Sequence, residues 1–88
     1  MTLRIETAFD GQTAMLRLIG RIKSESLDEL RTQVRRHRPR LLLDLYEVTL
    51  VDVGVVRFLI ACKAEGIGLL NCAPYVWEWM SRERNREE

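Results

Sequence analysis

A chain of 88 residues with a formal net charge of +1 and 47% hydrophobic side chains has the size and content of one small folded domain. Charge this close to balance makes no global field for nucleic acid or an acidic membrane surface. Cys62 and Cys72 form no CxxC pair and have one histidine for company, which excludes a disulfide scaffold and a four-ligand metal site and fits reduced thiols in a cytoplasmic protein.

The opening stretch MTLRIETAFDG carries Arg4 and Glu6 and no apolar h-region, so no signal peptide is expected. Residues 3 to 9 alternate, with Leu3, Ile5, Thr7 and Phe9 on one side and Arg4 and Glu6 on the other, the period of a half-buried strand. Asp10-Gly11 supplies a hairpin turn into a second, antiparallel strand over TAMLRLIG, which Gly20 is expected to end. Ser24 or Ser26 is placed to cap a helix, with Glu29 as the capping-box partner of Ser26. Leu27, Leu30 and Val34 form the core stripe of that helix. Arg35, Arg36, His37 and Arg38 suit its C-terminal dipole, and Pro39 is expected to stop it.

The run LLLDL reads as a short central strand covered on both faces, as in a parallel sheet. YEVTLVD leads to a turn, and Val55, Val56, Leu59, Ile60 and Cys62 mark a second helix ending near Gly66. Arg57, Lys63 and Glu65 interrupt this most apolar region, so no membrane span is expected. IGLLN gives a fourth strand, and Pro74 opens a third helix with Tyr75, Val76, Trp77, Trp79 and Met80. Residues 82–88 are expected to fray. The order β-β-α-β-α-β-α predicts a single α/β domain over 1–88. Its four-stranded, mostly parallel sheet has the first strand added as an antiparallel hairpin.

The turn in TLVDVGVVRFLIAC holds an acid, a glycine and valines, and nothing nucleophilic. Asp44 and Asp52 flank the end of the central strand, but no His, Ser, Cys or Lys nearby in sequence completes a catalytic constellation. They read as structural acids, Asp52 capping the second helix. Gly54 at a helix start could receive phosphate, yet one glycine without a following G-K-[ST] is no P-loop, and an acid at the cap repels an anion. Arg31, Arg35 and Arg38 share a helical face, with no interleaved aromatic side chains for nucleic acid. His37 reads as a surface residue. Cys72 has no basic neighbour to activate it and reads as packed. Trp77 and Trp79 fall on opposite flanks of the core face of their helix. They either cover the core edge or form a self-association surface of a homodimer.

LIGRI, LLLDLYEVTLVD and LLNCAPYVWEWM resemble, in that order, the second strand's end, the central strand with its approach loop, and the last strand with its Pro-led helix of the STAS domain. That family includes the anti-sigma factor antagonists. The resemblance implies a non-catalytic protein-interaction module, acting in signal transduction and transcription regulation in a bacterial cytoplasm. Its partner would be a protein such as an anti-sigma factor or a related kinase-like protein, with no cofactor. It further implies that Asp52, Val53, Gly54 and Val55 form the partner-docking tip. Switching members carry Asp-Ser-Ser-Gly or Asp-x-Ser-Gly there, and a kinase phosphorylates the serine. Here, without a gap, Val53 and Gly54 take the serine positions and Val55 the glycine, whereas a one-residue gap puts Gly54 on the glycine; in both alignments no Ser or Thr lies between Asp52 and Ser81. Lys23 replaces the acid common after the second strand, and the final strand and helix of longer members have no counterpart. The expectation is a short form without the phospho-switch. The alternative is a small ligand- or nucleotide-binding accessory subunit, for example of a transport complex.

Overall fold

The computed structural model describes residues 3–38 and 40–86. The elements are β1 (Leu3–Phe9), β2 (Ala14–Ile22), a 3-10 turn (Ser24–Ser26), α1 (Leu27–His37), β3 (Leu41–Val51), α2 (Val53–Ala64), β4 (Gly68–Leu70) and α3 (Pro74–Arg86). The sheet order is β1-β2-β3-β4, with β1 antiparallel to β2 and the rest parallel. This is the expected α/β architecture. Both crossovers advance one strand in the same direction, so right-handed connections put α1 and α2 on the same face. α3 packs on α2 and joins that layer.

Asp10 shapes the hairpin: its Oδ1 accepts the backbone N–H groups of Gln12 and Thr13 at 3.0 and 2.8 Å. Leu16, Leu18 and Ile22 of β2 and Leu43 of β3 are sealed under the helices with Leu30, Val55, Val56 and Leu59. Burying a side chain of this kind contributes roughly 1.5–3 kcal/mol, and this cluster is the main stabilising term of the fold.

Gly20 does not end β2. It sits inside the strand at φ +97°, beside a shift in the β2–β3 register. A residue without Cβ takes that conformation freely, so the strand continues through Ile22. β3 also outruns its expected length. It spans eleven residues, because YEVTLV stays paired to β2. Arg17 pairs with Asp44 and Ile19 with Glu47, so β3 carries an extra residue there, and it carries another between Val48 and Leu50.

The expected cover on both faces of β3 is not what the topology provides. Among the described residues, the sheet face away from the helices bears no helix. Asp44 is nevertheless only 6% exposed, because Arg17 and Asn71 close over it on that face.

Neither Ser24 nor Ser26 caps α1 with its side chain, and the capping box with Glu29 does not form. The N–H of Ser26 bonds the Lys23 carbonyl, which winds Ser26 into helical angles, φ −92° and ψ −2°. A cap needs extended angles to aim its oxygen at the next turn. Leu27, Leu30 and Val34 are buried as the spacing predicts. α1 closes at His37, and Pro39 lies outside the described residues. α3 continues through Arg86, so residues 82–86 of the segment expected to fray are helical, while Glu87 and Glu88 lie outside the described residues. Glu83 anchors this last stretch. It is 5% exposed and holds Arg57 Nε of α2 at 3.2 Å.

Candidate functional site

Asp52 leaves β3 in an extended conformation, φ −115° and ψ 179°, and caps α2: its Oδ1 accepts the Val55 N–H at 3.0 Å. The same carboxylate reaches across to the 3-10 turn. Oδ2 accepts the Ser24 N–H at 2.8 Å, and Oδ1 accepts the Ser24 hydroxyl at 3.1 Å. Burial pushes the Asp52 carboxyl up, but the bonds from Ser24 and Val55 together outweigh it and hold the group below the usual carboxylate range. One acid thus ties together the end of β3, the approach to α1 and the start of α2.

Gly54 lies against Ser24. A Cβ at position 54 would run into the Ser24 hydroxyl and come within 3.3 Å of the Ser24 Cβ. The hydroxyl that stands over this turn therefore comes from residue 24. The sequence offers no signal for it, since Ser24 reads locally as a candidate cap for its own helix.

The four residues of the expected docking tip separate in the structure. Val53 is exposed and Asp52 and Gly54 are half-buried. Val55 is fully buried and belongs to the core, which corrects its assignment to the tip. The reason is helical phase. Val55, Leu59 and Cys62 fall on one stripe of α2, and that stripe faces the sheet. Leu50, near the end of β3, is a second exposed apolar side chain close in sequence to the turn, 45% exposed. The first turn of α2 carries no acidic side chain.

Asp44 and Asp52 do not act as a carboxylate pair. Asp44 lies within β3, eight residues from Asp52, a span of more than roughly 20 Å in extended chain. Asp44 accepts the Tyr46 N–H at 3.0 Å and the Asn71 amide at 3.1 Å, with Arg17 at 3.6 Å. Burial raises its pKa, but the Asn71, Tyr46 and Arg17 contacts prevail and lower it. An anion at the start of α2 would face the Asp52 carboxylate already bound there.

Trp77 and Trp79 part as the helical phase requires. Trp79 is half-buried and packs on the core, while Trp77 stays 39% exposed under the Lys63 ammonium, 5.5 Å from the ring centroid. On the other side of α2, Arg31, Arg35 and Arg38 border a shallow cleft with Val34, Phe58 and Cys62, where Arg38 pairs with Glu65 at 3.2 Å. His37 is half-buried, and its Nδ1 lies 2.9 Å from the Gln33 carbonyl, to which it donates. Burial pushes the Cys62 thiol up to about 11 and raises that of Cys72, so neither is an activated nucleophile. Among the described residues no helix is long and apolar enough to cross a membrane.

A family model described as "Mlab, STAS domain" matches residues 5–69, from β1 into β4. The crystal structure of an antisigma-factor antagonist, STAS domain, from Rhodobacter sphaeroides shares the fold. The TM-score is 0.57 at 16% sequence identity, over 78% of this chain and 84% of that one. No curated protein matches the chain.

Proposed function

The chain belongs to the STAS domain family, and from that premise we propose that it is a non-catalytic protein-interaction module resembling an anti-sigma factor antagonist. Its docking surface is the junction of β3 and α2, with Val53 and Leu50 as contacts and Gly54 keeping the approach low. Its partner is a protein of the anti-sigma factor or kinase-like kind, and the two meet in the cytoplasm. Cys62 and Cys72 are both unpaired thiols, which suits a reducing compartment.

One observation carries this reading. Asp52 locks the junction rigidly from inside through Ser24 and Val55, yet the outward side chains Val53 and Leu50 are exposed and apolar. A rigid apolar tip loses little entropy on docking. Residues 50 to 60 contain no Ser, Thr or Tyr, so on this reading the module lacks the phosphorylatable serine at the turn, and its binding is constitutive or controlled elsewhere.

The test is partner capture from the native cell, identified by mass spectrometry, with Val53→Asp beside the wild type. The exposed position lets the variant fold and melt like the wild type. A charge forced into a dry contact costs several kcal/mol, on the order of a buried unpaired polar group, so the captured partner disappears. Capture at wild-type strength by a folded Val53→Asp protein puts the docking surface elsewhere.

A further inference from the structure

A groove of about 420 Å3 runs between α2 and α3, with Ile60, Lys63 and Ala64 on one wall and Trp77, Met80 and Arg84 on the other. It is separate from the Asp52 junction: none of its residues belongs to the β3–α2 turn, and α3 lies beyond the residues that the family model matches. The α3 contributors stand at i, i+3 and i+7, about 10 Å along the helix axis. The floor is apolar, and Ala64 keeps one wall low.

The rim is cationic. Neither Lys63 nor Arg84 reaches a carboxylate among the described residues, whereas Arg57 and Arg86 both hold Glu83 and Arg82 holds Glu78. Lys63 rests on the Trp77 face, which leaves its outer hydrogens free for an acceptor.

We propose that this groove takes an acidic amphipathic helix of a protein partner. Two packed helices leave a furrow that the ridge of a third fills, and in helix-in-groove recognition the inserted helix supplies apolar anchors at i, i+3, i+4 and i+7 to such a furrow. The helix lays its apolar side chains between Ile60, Trp77 and Met80 and sets carboxylates against Lys63 and Arg84. A small anion uses the two cations and leaves the apolar floor wet. A second copy of the chain fits less well, because its own α3 brings Arg84, which among the described residues no carboxylate of that helix holds, to a rim that is already cationic. The proposal rests on the reading of the chain as an interaction module and adds the chemistry of the partner.

The experiment titrates the full, 15N-labelled chain with a synthetic amphipathic peptide of about 18 residues, long enough to hold a helix on a surface. The peptide has leucines at i, i+3, i+4 and i+7 and flanking glutamates, and its twin has lysines in place of the glutamates. The acidic peptide is expected to shift the amides of Lys63, Ala64 and Ser81 and the Trp77 indole. The twin is expected to bind at least about tenfold more weakly, and Lys63→Glu with Arg84→Glu to reverse that preference. Both side chains are exposed, and the comparison of twins on the wild type stands whether or not the double variant folds.

Equal affinity for the twins, or no shift at about 1 mM peptide, the weak end of specific association, overturns the proposal. So do shifts gathered at Val53. A wild-type dimer in sedimentation that Trp77→Ala dissolves puts a second copy in the groove and overturns it too. If the double variant captures the native partner while Val53→Asp does not, the groove falls and the interaction module stands.

Discussion

Ser24 and Asp52 stand 28 residues apart and share two hydrogen bonds, the Ser24 N–H to Oδ2 at 2.8 Å and the Ser24 hydroxyl to Oδ1 at 3.1 Å. With the Val55 N–H on the same Oδ1, this pair fastens the approach to α1 to the first turn of α2.

Removing the acid loosens the starts of α1 and α2 together. Asp52→Ala loses the cap and the bonds from Ser24, and about 2 kcal/mol of stability goes with them. Ser24→Ala loses only the partly solvated hydroxyl bond, about 0.5–1 kcal/mol. Urea denaturation of both variants and of the double variant checks the order. An effect of Ser24→Ala that persists undiminished in the Asp52→Ala background contradicts the pairing.

Gly54 and Ser24 are coupled through space. Alanine is the better helix former by up to about 1 kcal/mol, so Gly54→Ala in isolation should stabilise α2. Here the new methyl displaces the Ser24 hydroxyl from Asp52, and the expected result is a net loss of about 1 kcal/mol. In a Ser24→Gly background the clash is gone, and Gly54→Ala becomes neutral or stabilising. A double-mutant cycle by thermal melting measures the difference.

Acid should weaken the fold in a defined window. The carboxyls of Asp44 and Asp52 are both held below their usual range in the folded protein. A depressed pKa contributes stability above the unfolded value, near 4 for aspartate, and that contribution is lost as pH falls through the folded value. The melting temperature is therefore expected to stay level, as far as these groups govern it, down to about pH 5 and to fall below about pH 4. Asp52→Asn flattens the acid limb. A parallel acid limb in Asp52→Asn assigns the loss to other groups.

Val55→Asp and Val53→Asp separate core from surface by two residues. Val55 is fully buried and Val53 is 41% exposed. An unpaired charge at Val55 is expected to cost more than about 3 kcal/mol and to unfold the domain. The same change at Val53 shifts stability by no more than about 0.5 kcal/mol. Circular dichroism and melting of the pair decide this, and a folded Val55→Asp protein removes Val55 from the core.

Much of the fold was legible because its signals are local. Period two gave β1 and most of β2, the Leu27-Leu30-Val34 stripe gave α1, and Pro74 gave the start of α3. β3 was harder. Its two extra residues break the alternation, so YEVTLV loses the period that marks a strand. The spacing Val55-Leu59-Cys62 already placed Val55 on the core stripe, and the expectation of an exposed tip set that aside. Ser24 was out of reach. Its role depends on Asp52, a residue far along the chain, and no local pattern encodes a contact made only after the sheet has formed.

The strands lie in the sheet in the order in which they lie in the chain. A polypeptide leaving the ribosome therefore always finds the partner for its newest strand already made. The growing edge is also always the newest strand, open to any passing chain until the next one arrives. β3 is the longest such edge, eleven residues, and β4 pairs with only three of them. A nascent chain halted before residue 68 exposes that whole template with none of β4 or α3 in place. Truncation in this stretch should yield an aggregating species rather than a smaller stable domain.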